Sequence, residues 1–141
     1  MNILLVEDNP ADMRLVSEAL DECAVAADLH WAADGVQALD FLHRAGAHAG
    51  APTPDLVLLD LNLPGIGGKE VLGEIKRDPL LSRIPVVVLT SSSARQDVLD
   101  TYGAHVNAYM VKPTDFDDYL ALVKLVESYW LGAVLLPTRG G

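Results

Sequence analysis

Unbroken apolar runs alternate along the chain with segments whose apolar residues recur every three or four positions. Residues 3–6, 56–60 and 85–90 are of the first kind, and the last of these (PVVVLT) is β-branched. Residues 28–32 and 107–111 are weaker strand candidates. Met13, Val16, Leu20 and Cys23 share one face of a helix opened by Asn9-Pro10, a capping side chain followed by a proline in the first turn. Val36, Leu39 and Leu42 mark a second helix after the Asp34-Gly35 turn. Val71, Leu72 and Ile75 turn inward on a third, over residues 69–77. Residues 94–102 form a short fourth helix closed by Gly103, and Asp115 begins the last.

The order is therefore strand then helix, five times over. The inner strands are continuously apolar rather than alternating, as a parallel sheet covered on both faces requires. The expected fold is α/β: a doubly wound parallel sheet with right-handed crossovers. Residues 44–54 (RAGAHAGAPTP) interrupt the pattern, but the same alternation continues on both sides. They are expected to be a surface loop rather than a linker.

Composition narrows the function. The 141 residues suit one domain, and half of them are hydrophobic. Lys and Arg total 10 against 20 Asp and Glu, a formal charge of -10. Such a surface repels nucleic acid phosphates and anionic lipid, so neither is an expected partner. Cys23 is the one cysteine, which excludes an intrachain disulfide. The first residues enter a strand without a basic segment and apolar core, so no signal peptide is expected. No apolar run approaches a membrane span. The expected location is the cytoplasm.

Ligands of such sheets bind beyond the carboxyl ends of the strands. Those ends carry Glu7 and Asp8, Asp60, Thr90 with Ser91 to Ser93 behind it, and Lys112 followed by Pro113. Close carboxylates repel one another unless a cation joins them, and an all-oxygen set favours a hard divalent ion such as Mg²⁺. A carboxylate beside a divalent ion, an ammonium and a hydroxyl forms a site for phosphoryl transfer. Asp60, ending a buried central run, is the expected nucleophile. Each residue alone has a plainer explanation: Glu7 and Asp8 as helix-capping acids, Thr90 as a cap, Lys112 as a solvated surface lysine. Their joint occurrence at strand ends is what points to chemistry. His30, His43, His48 and His105 show no ligand spacing, and Trp31 and Trp130 are expected to be packing residues.

The segments Val6-Glu7-Asp8-Asn9, Asp60-Leu61-Asn62-Leu63-Pro64-Gly65, Pro85-Val86-Val87-Val88-Leu89-Thr90-Ser91 and Tyr109-Met110-Val111-Lys112-Pro113 resemble the receiver domain of bacterial two-component response regulators. The resemblance implies a five-stranded, flavodoxin-like (CheY-like) sheet in the order 2-1-3-4-5. It implies Asp60 as phosphoacceptor, charged by a partner histidine kinase. It further implies Mg²⁺ held by Asp8, Asp60 and the main-chain carbonyl of Asn62, with Glu7 acting through water. Thr90 would contact the phosphoryl group, Lys112 would bond its oxygens, and Tyr109 would be the switch aromatic. The Lys112-Pro113 bond would be cis. By the same resemblance Asn62 and Ser92 would tune hydrolysis. EDNPAD at 7–12, GGKEVLGEIKRDP at 67–79 and YWLGAVLLP at 129–137 are similar to single-domain regulators paired with bacterial phytochrome kinases. Two departures stand out: Glu7 replaces the commoner aspartate, and Gly67 stands where such relatives usually carry aspartate. A phosphohydrolase of the haloacid dehalogenase type also forms an aspartyl phosphate. It places its nucleophile in a first-strand Asp-x-Asp, however, whereas this first strand ends Glu-Asp-Asn.

The receiver is expected to occupy residues 1–130, followed by no second domain but by a tail, residues 131–141, that could join the dimer interface. Apolar residues of the last helix fill an arc about twice as wide as one buried face needs. Tyr119, Leu122, Val126, Tyr129 and Trp130 are therefore expected at an interface. The partner would be a second copy, joined through the fourth helix, fifth strand and fifth helix. The alternative is that the tail folds back and covers this face.

Overall fold

The computed structural model describes residues 1–23 and 26–137. Five strands form one parallel sheet: β1 (Asn2–Val6), β2 (Asp28–Ala32), β3 (Leu56–Leu59), β4 (Val86–Thr90) and β5 (Ala108–Val111). Their order is β2-β1-β3-β4-β5, with every neighbouring pair parallel, as expected. The helices are α1 (Pro10–Asp21), α2 (Gly35–His43), α3 (Gly68–Arg77), α4 (Arg95–Gly103) and α5 (Phe116–Glu127). In the loop between α2 and β3, Gly46–His48 makes one short 3-10 turn. Among the described residues no helix is long and apolar enough to cross a membrane.

Alternate residues of each central strand feed two cores. Leu4, Val6, Val57, Leu59, Val86 and Val88 pack beneath α2 and α3. Ile3, Leu5, Leu56, Leu58, Val87 and Leu89 pack beneath α1 and α5. All of β3 and β4 is buried, which is why their sequences are apolar without alternation.

Side-chain caps fix where three helices begin. Asn9 Oδ1 accepts from the Ala11 amide at 2.9 Å, Asp34 Oδ1 from Gln37 at 2.8 Å, and Asp115 Oδ1 from Asp118 at 3.1 Å. The Asp34 cap sets the phase of α2 so that Ala38, Phe41 and Leu42 face the core while Val36 faces solvent. The fourth helix runs through Gly103, and His105 rather than the glycine takes the left-handed conformation after it (φ 71°).

The last helix differs most from expectation. Tyr119 (5% exposed) and Val126 (3%) are buried against α1 and β1, so neither lies on an outer interface. After Glu127 the helix widens to five-residue hydrogen-bond spacing over Ser128–Ala133, closed by Val134 N donating to the Tyr129 carbonyl at 3.1 Å. Widening rotates Leu131 inward, and Leu136 follows it into the same core. The expected break at residue 130 therefore falls inside a continuous helical segment, and the tail folds back. Residues 138–141 of the tail lie outside the described residues. Leu125 and Tyr129 remain exposed, with Leu122 and Trp130 partly so.

Candidate functional site

Parallel strands end in register, so the carboxyl ends of β1, β3, β4 and β5 bring their terminal residues to one edge. Glu7 follows β1, Asp60 follows β3, Thr90 ends β4 and Lys112 follows β5. Glu7, Asp60 and Thr90 are buried, while Asp8 is exposed at the mouth.

The Lys112 ammonium is the hub. Its Nζ donates to Glu7 Oε2 at 2.6 Å, Asp12 Oδ2 at 2.8 Å and Asp60 Oδ2 at 3.0 Å. Burial alone would lower its pKa. Hydrogen bonds to Asp12 and Glu7, with the charges of Glu7 and Asp60, outweigh burial and hold it above the ordinary lysine range. Glu7 is pushed up to about 7 by burial and by the charge of Asp60, against the pull of Lys112. Its Oε1 also accepts from the Asn9 amide at 3.1 Å, which ties it to the start of α1.

Carboxylate oxygens of Glu7, Asp8 and Asp60 lie within 4.8 Å of one another. Three hard oxygen donors, all anionic when ionised, fit a divalent cation. Asp60 Oδ1 accepts from the Asn62 amide at 3.1 Å, which turns the chain sharply after β3. Gly68 holds this turn against α3. Its amide donates to the Leu61 carbonyl at 3.1 Å, and a Cβ there would collide with the Asp60 carbonyl oxygen and lie 2.6 Å from Leu61 Cα. Gly67 is the residue before α3 and makes no side-chain cap, and a Cβ there would meet nothing. The missing aspartate at Gly67 thus leaves the turn's packing untouched, because glycine at a cap costs only a few tenths of a kcal/mol.

Thr90 and Tyr109 meet through the loop after β4. Tyr109 Oη donates to the Ser92 carbonyl at 2.7 Å, and the Ser92 amide lies 3.5 Å from Thr90 Oγ1. Ser92 Oγ donates to Asp97 Oδ2 at 2.5 Å. Lys69 of α3 then bridges to Asp97 at 2.6 Å and Asp100 at 2.8 Å on α4. The two aspartates are held below the usual carboxylate range chiefly by hydrogen bonds from Lys69.

Every strand-end residue expected from the sequence is at this edge. The exception concerns a bond: among the described residues no peptide is cis, so Lys112-Pro113 is trans. Trans is the intrinsically preferred isomer even before proline. The Lys112 side chain reaches all three carboxylates from that backbone, with its amide held on the Thr90 carbonyl at 2.7 Å.

Besides the Lys69 bridge to α4, two contacts at the site itself went unforeseen. Asp12 reaches Lys112 from the first turn of α1; its place one helical turn after Asp8 is a signal that was there to read. Trp31 is more than a packing residue, since its indole N–H donates to the Glu7 carbonyl at 2.6 Å and pins the β1 end from the edge strand.

Residues 3–124 match the response regulator receiver domain family. The chain is 48% identical over 135 residues to the response regulator Rcp1 of Synechocystis sp., covering 96% of this chain and 92% of Rcp1. It is 45% identical over 132 residues to a probable methanogenesis regulatory protein, FilR2, of Methanothrix harundinacea, covering 92% and 83% of the two chains. The manganese-bound crystal structure of Rcp1 matches with a TM-score of 0.94 over 96% of this chain and 98% of that one. The phosphorylated cyanobacterial phytochrome response regulator RcpA matches with a TM-score of 0.94 at 46% identity, over 96% and 97%.

Proposed function

The chain belongs to the response regulator receiver family, and from that premise we propose that Asp60 is its phosphoacceptor, charged by a sensor histidine kinase of the bacterial phytochrome type. The observation that carries this reading is the packing of Glu7, Asp8 and Asp60 oxygens within 4.8 Å beside the Lys112 ammonium, 3.0 Å from Asp60. A carboxylate oxygen of Asp60 forms a bond to phosphorus as the phosphorus–nitrogen bond of a phosphohistidine breaks. The electron pair of that bond stays with the imidazole. Lys112 and the Thr90 hydroxyl donate to the phosphoryl oxygens. Asp8, Asp60 and the main-chain carbonyl of Asn62 would hold a Mg²⁺ ion, with Glu7 acting through a water, and that ion would add to the neutralisation of those oxygens. The receiver thus catalyses its own phosphorylation and dephosphorylation rather than acting on a separate substrate.

Output runs through protein contact. Thr90 and Tyr109 share the loop after β4, so a shift of Thr90 toward a phosphoryl group bears on Tyr109 and α4. The receiving surface is the α4–β5–α5 face, and on its β5–α5 side Met110 and Leu125, with Tyr129 and Trp130 of the segment after α5, line an apolar groove. Leu122 is partly exposed on the same helix, and exposed Leu135 of the 131–141 tail lies beyond. A second copy of the chain fits this face, because isologous pairing covers both grooves at once. The formal charge of -10 makes nucleic acid and membrane poor partners, and the cytoplasm is the proposed location.

Incubation with Mg²⁺ and acetyl phosphate, followed by intact mass, tests the acceptor. One phosphoryl adduct, lost in Asp60→Asn, is expected. No adduct on folded wild-type protein contradicts the reading. Light scattering of Tyr129→Asp against wild type tests the pairing: the variant loses the larger species, and a monomer in both refutes it.

A further inference from the structure

An ammonium has three N–H donors, and Lys112 has given each of them to a carboxylate. Bonding a phosphoryl oxygen, as the proposed function requires, means that one of these contacts must be released. The three are not equivalent. The side chains of Glu7 and Asp60 are 3% and 7% exposed, and each accepts a second hydrogen bond from a backbone amide. Freeing either from Lys112 would leave a buried charge short of a partner. The Asp12 side chain is 26% exposed and lies outside the Glu7–Asp8–Asp60 oxygen cluster. Water can take over its solvation as the ammonium leaves.

We infer that Asp12 is a positioning residue that parks Lys112 in the unphosphorylated state and is the carboxylate displaced when the ammonium turns to the phosphoryl group. This rests on Asp60 being the phosphoacceptor. Asp12 then opposes charging twice over. Its ion pair must break, and its negative charge faces the incoming phosphoryl anion. The competing explanation is an acid in the first turn of α1 that merely favours the helix dipole. That role would change stability alone.

The two explanations part on rates. With Mg²⁺ and acetyl phosphate, Asp12→Asn forms the adduct about two- to fivefold faster than wild type, the scale of a partly exposed ion pair. The gap narrows as sodium chloride is raised, because screening weakens the anion's repulsion of the donor. Asp12→Glu keeps the carboxylate and returns the rate toward wild type. Without donor, the ¹H–¹⁵N signal of the Lys112 ammonium broadens in Asp12→Asn, as one N–H exchanges a charged carboxylate for the weaker hold of a neutral amide oxygen. A folded Asp12→Asn charged at or below the wild-type rate at every salt concentration overturns the inference, as does an unchanged ammonium signal. Failure of the underlying reading looks different. There, wild type itself takes no adduct, or the adduct survives Asp60→Asn, and the parking role falls with it.

Discussion

Two lysines are drawn into opposite ends of the same sheet. Lys112 lies at the carboxyl edge among Glu7, Asp12 and Asp60. Lys76, on α3, lies at the amino edge and donates to the Ser82 and Ile84 carbonyls at 3.4 and 3.2 Å and to Asn107 Oδ1 at 3.0 Å. The same Asn107 oxygen accepts from the Val86 amide at 2.8 Å, so Lys76 helps to lock the starts of β4 and β5. Burial lowers the pKa of Lys76, whereas Lys112 stays raised despite burial. Neutral dipoles suit a fixed joint. A cluster of anions around one cation suits a site that exchanges partners, because any arriving anion or cation alters the balance.

Replacing each lysine tests that contrast. Lys112→Met removes the charge but keeps most of the stem. It should slow formation of the Asp60 adduct about 100-fold or more, the scale for losing one preorganised donor to a developing anion. A change under threefold would place Lys112 with the structural lysine. Gly68→Ala should come next, destabilising by about 1–3 kcal/mol in urea as the new methyl is forced onto the Asp60–Leu61 backbone. It should slow charging as well, because the strain falls on the acceptor's own turn. Lys76→Met should cost about 1–2 kcal/mol of stability, since it removes the lysine donor from the Ser82 and Ile84 carbonyls and leaves Asn107 Oδ1 with the Val86 amide alone, and should not change the charging rate.

The smallest effect is in pH. Lys76 titrates below its ordinary value of 10.5 in the folded chain, so the unfolded chain binds more protons just below that pH. Stability from this group therefore rises as pH climbs toward 10.5. Lys112, raised in the fold, contributes stability that is fully present below 10.5 and is lost only above it. Urea midpoints from pH 8 to 10.5 should show a shallower upward trend in Lys76→Met than in wild type. Parallel curves would mean that the amino-edge ammonium is not held down by burial.

The carboxyl edge was the more legible of the two in the sequence, for a topological reason. Strand ends in a parallel sheet converge whatever the side-chain details, so Glu7, Asp8, Asp60, Thr90 and Lys112 could be placed together from strand order alone. β3 and β4 were equally plain, since burial on both faces leaves an unbroken apolar run. Contacts that depend on side-chain reach across elements were not visible: Asp12 to Lys112, Trp31 to the Glu7 carbonyl, and Lys69 across to α4. The last helix misled because a wide apolar arc does not say which part of it the core takes. Tyr119 and Val126 lie in its regular part and face α1 and β1. The segment Ser128–Ala133 then widens, and Leu131 and Leu136 fold into the same core while Tyr129 stays outside.

The central claim is that phosphorus is carried by one named oxygen-bearing side chain. Wild-type protein charged with acetyl phosphate and Mg²⁺ can be trapped with borohydride, which reduces an acyl phosphate to the alcohol, and then digested for peptide mass analysis. Homoserine is expected at position 60, with unmodified aspartate at positions 8 and 12. Homoserine at 8 or 12, or a phosphoryl group that resists reduction and maps to a hydroxyl such as Thr90, would contradict it.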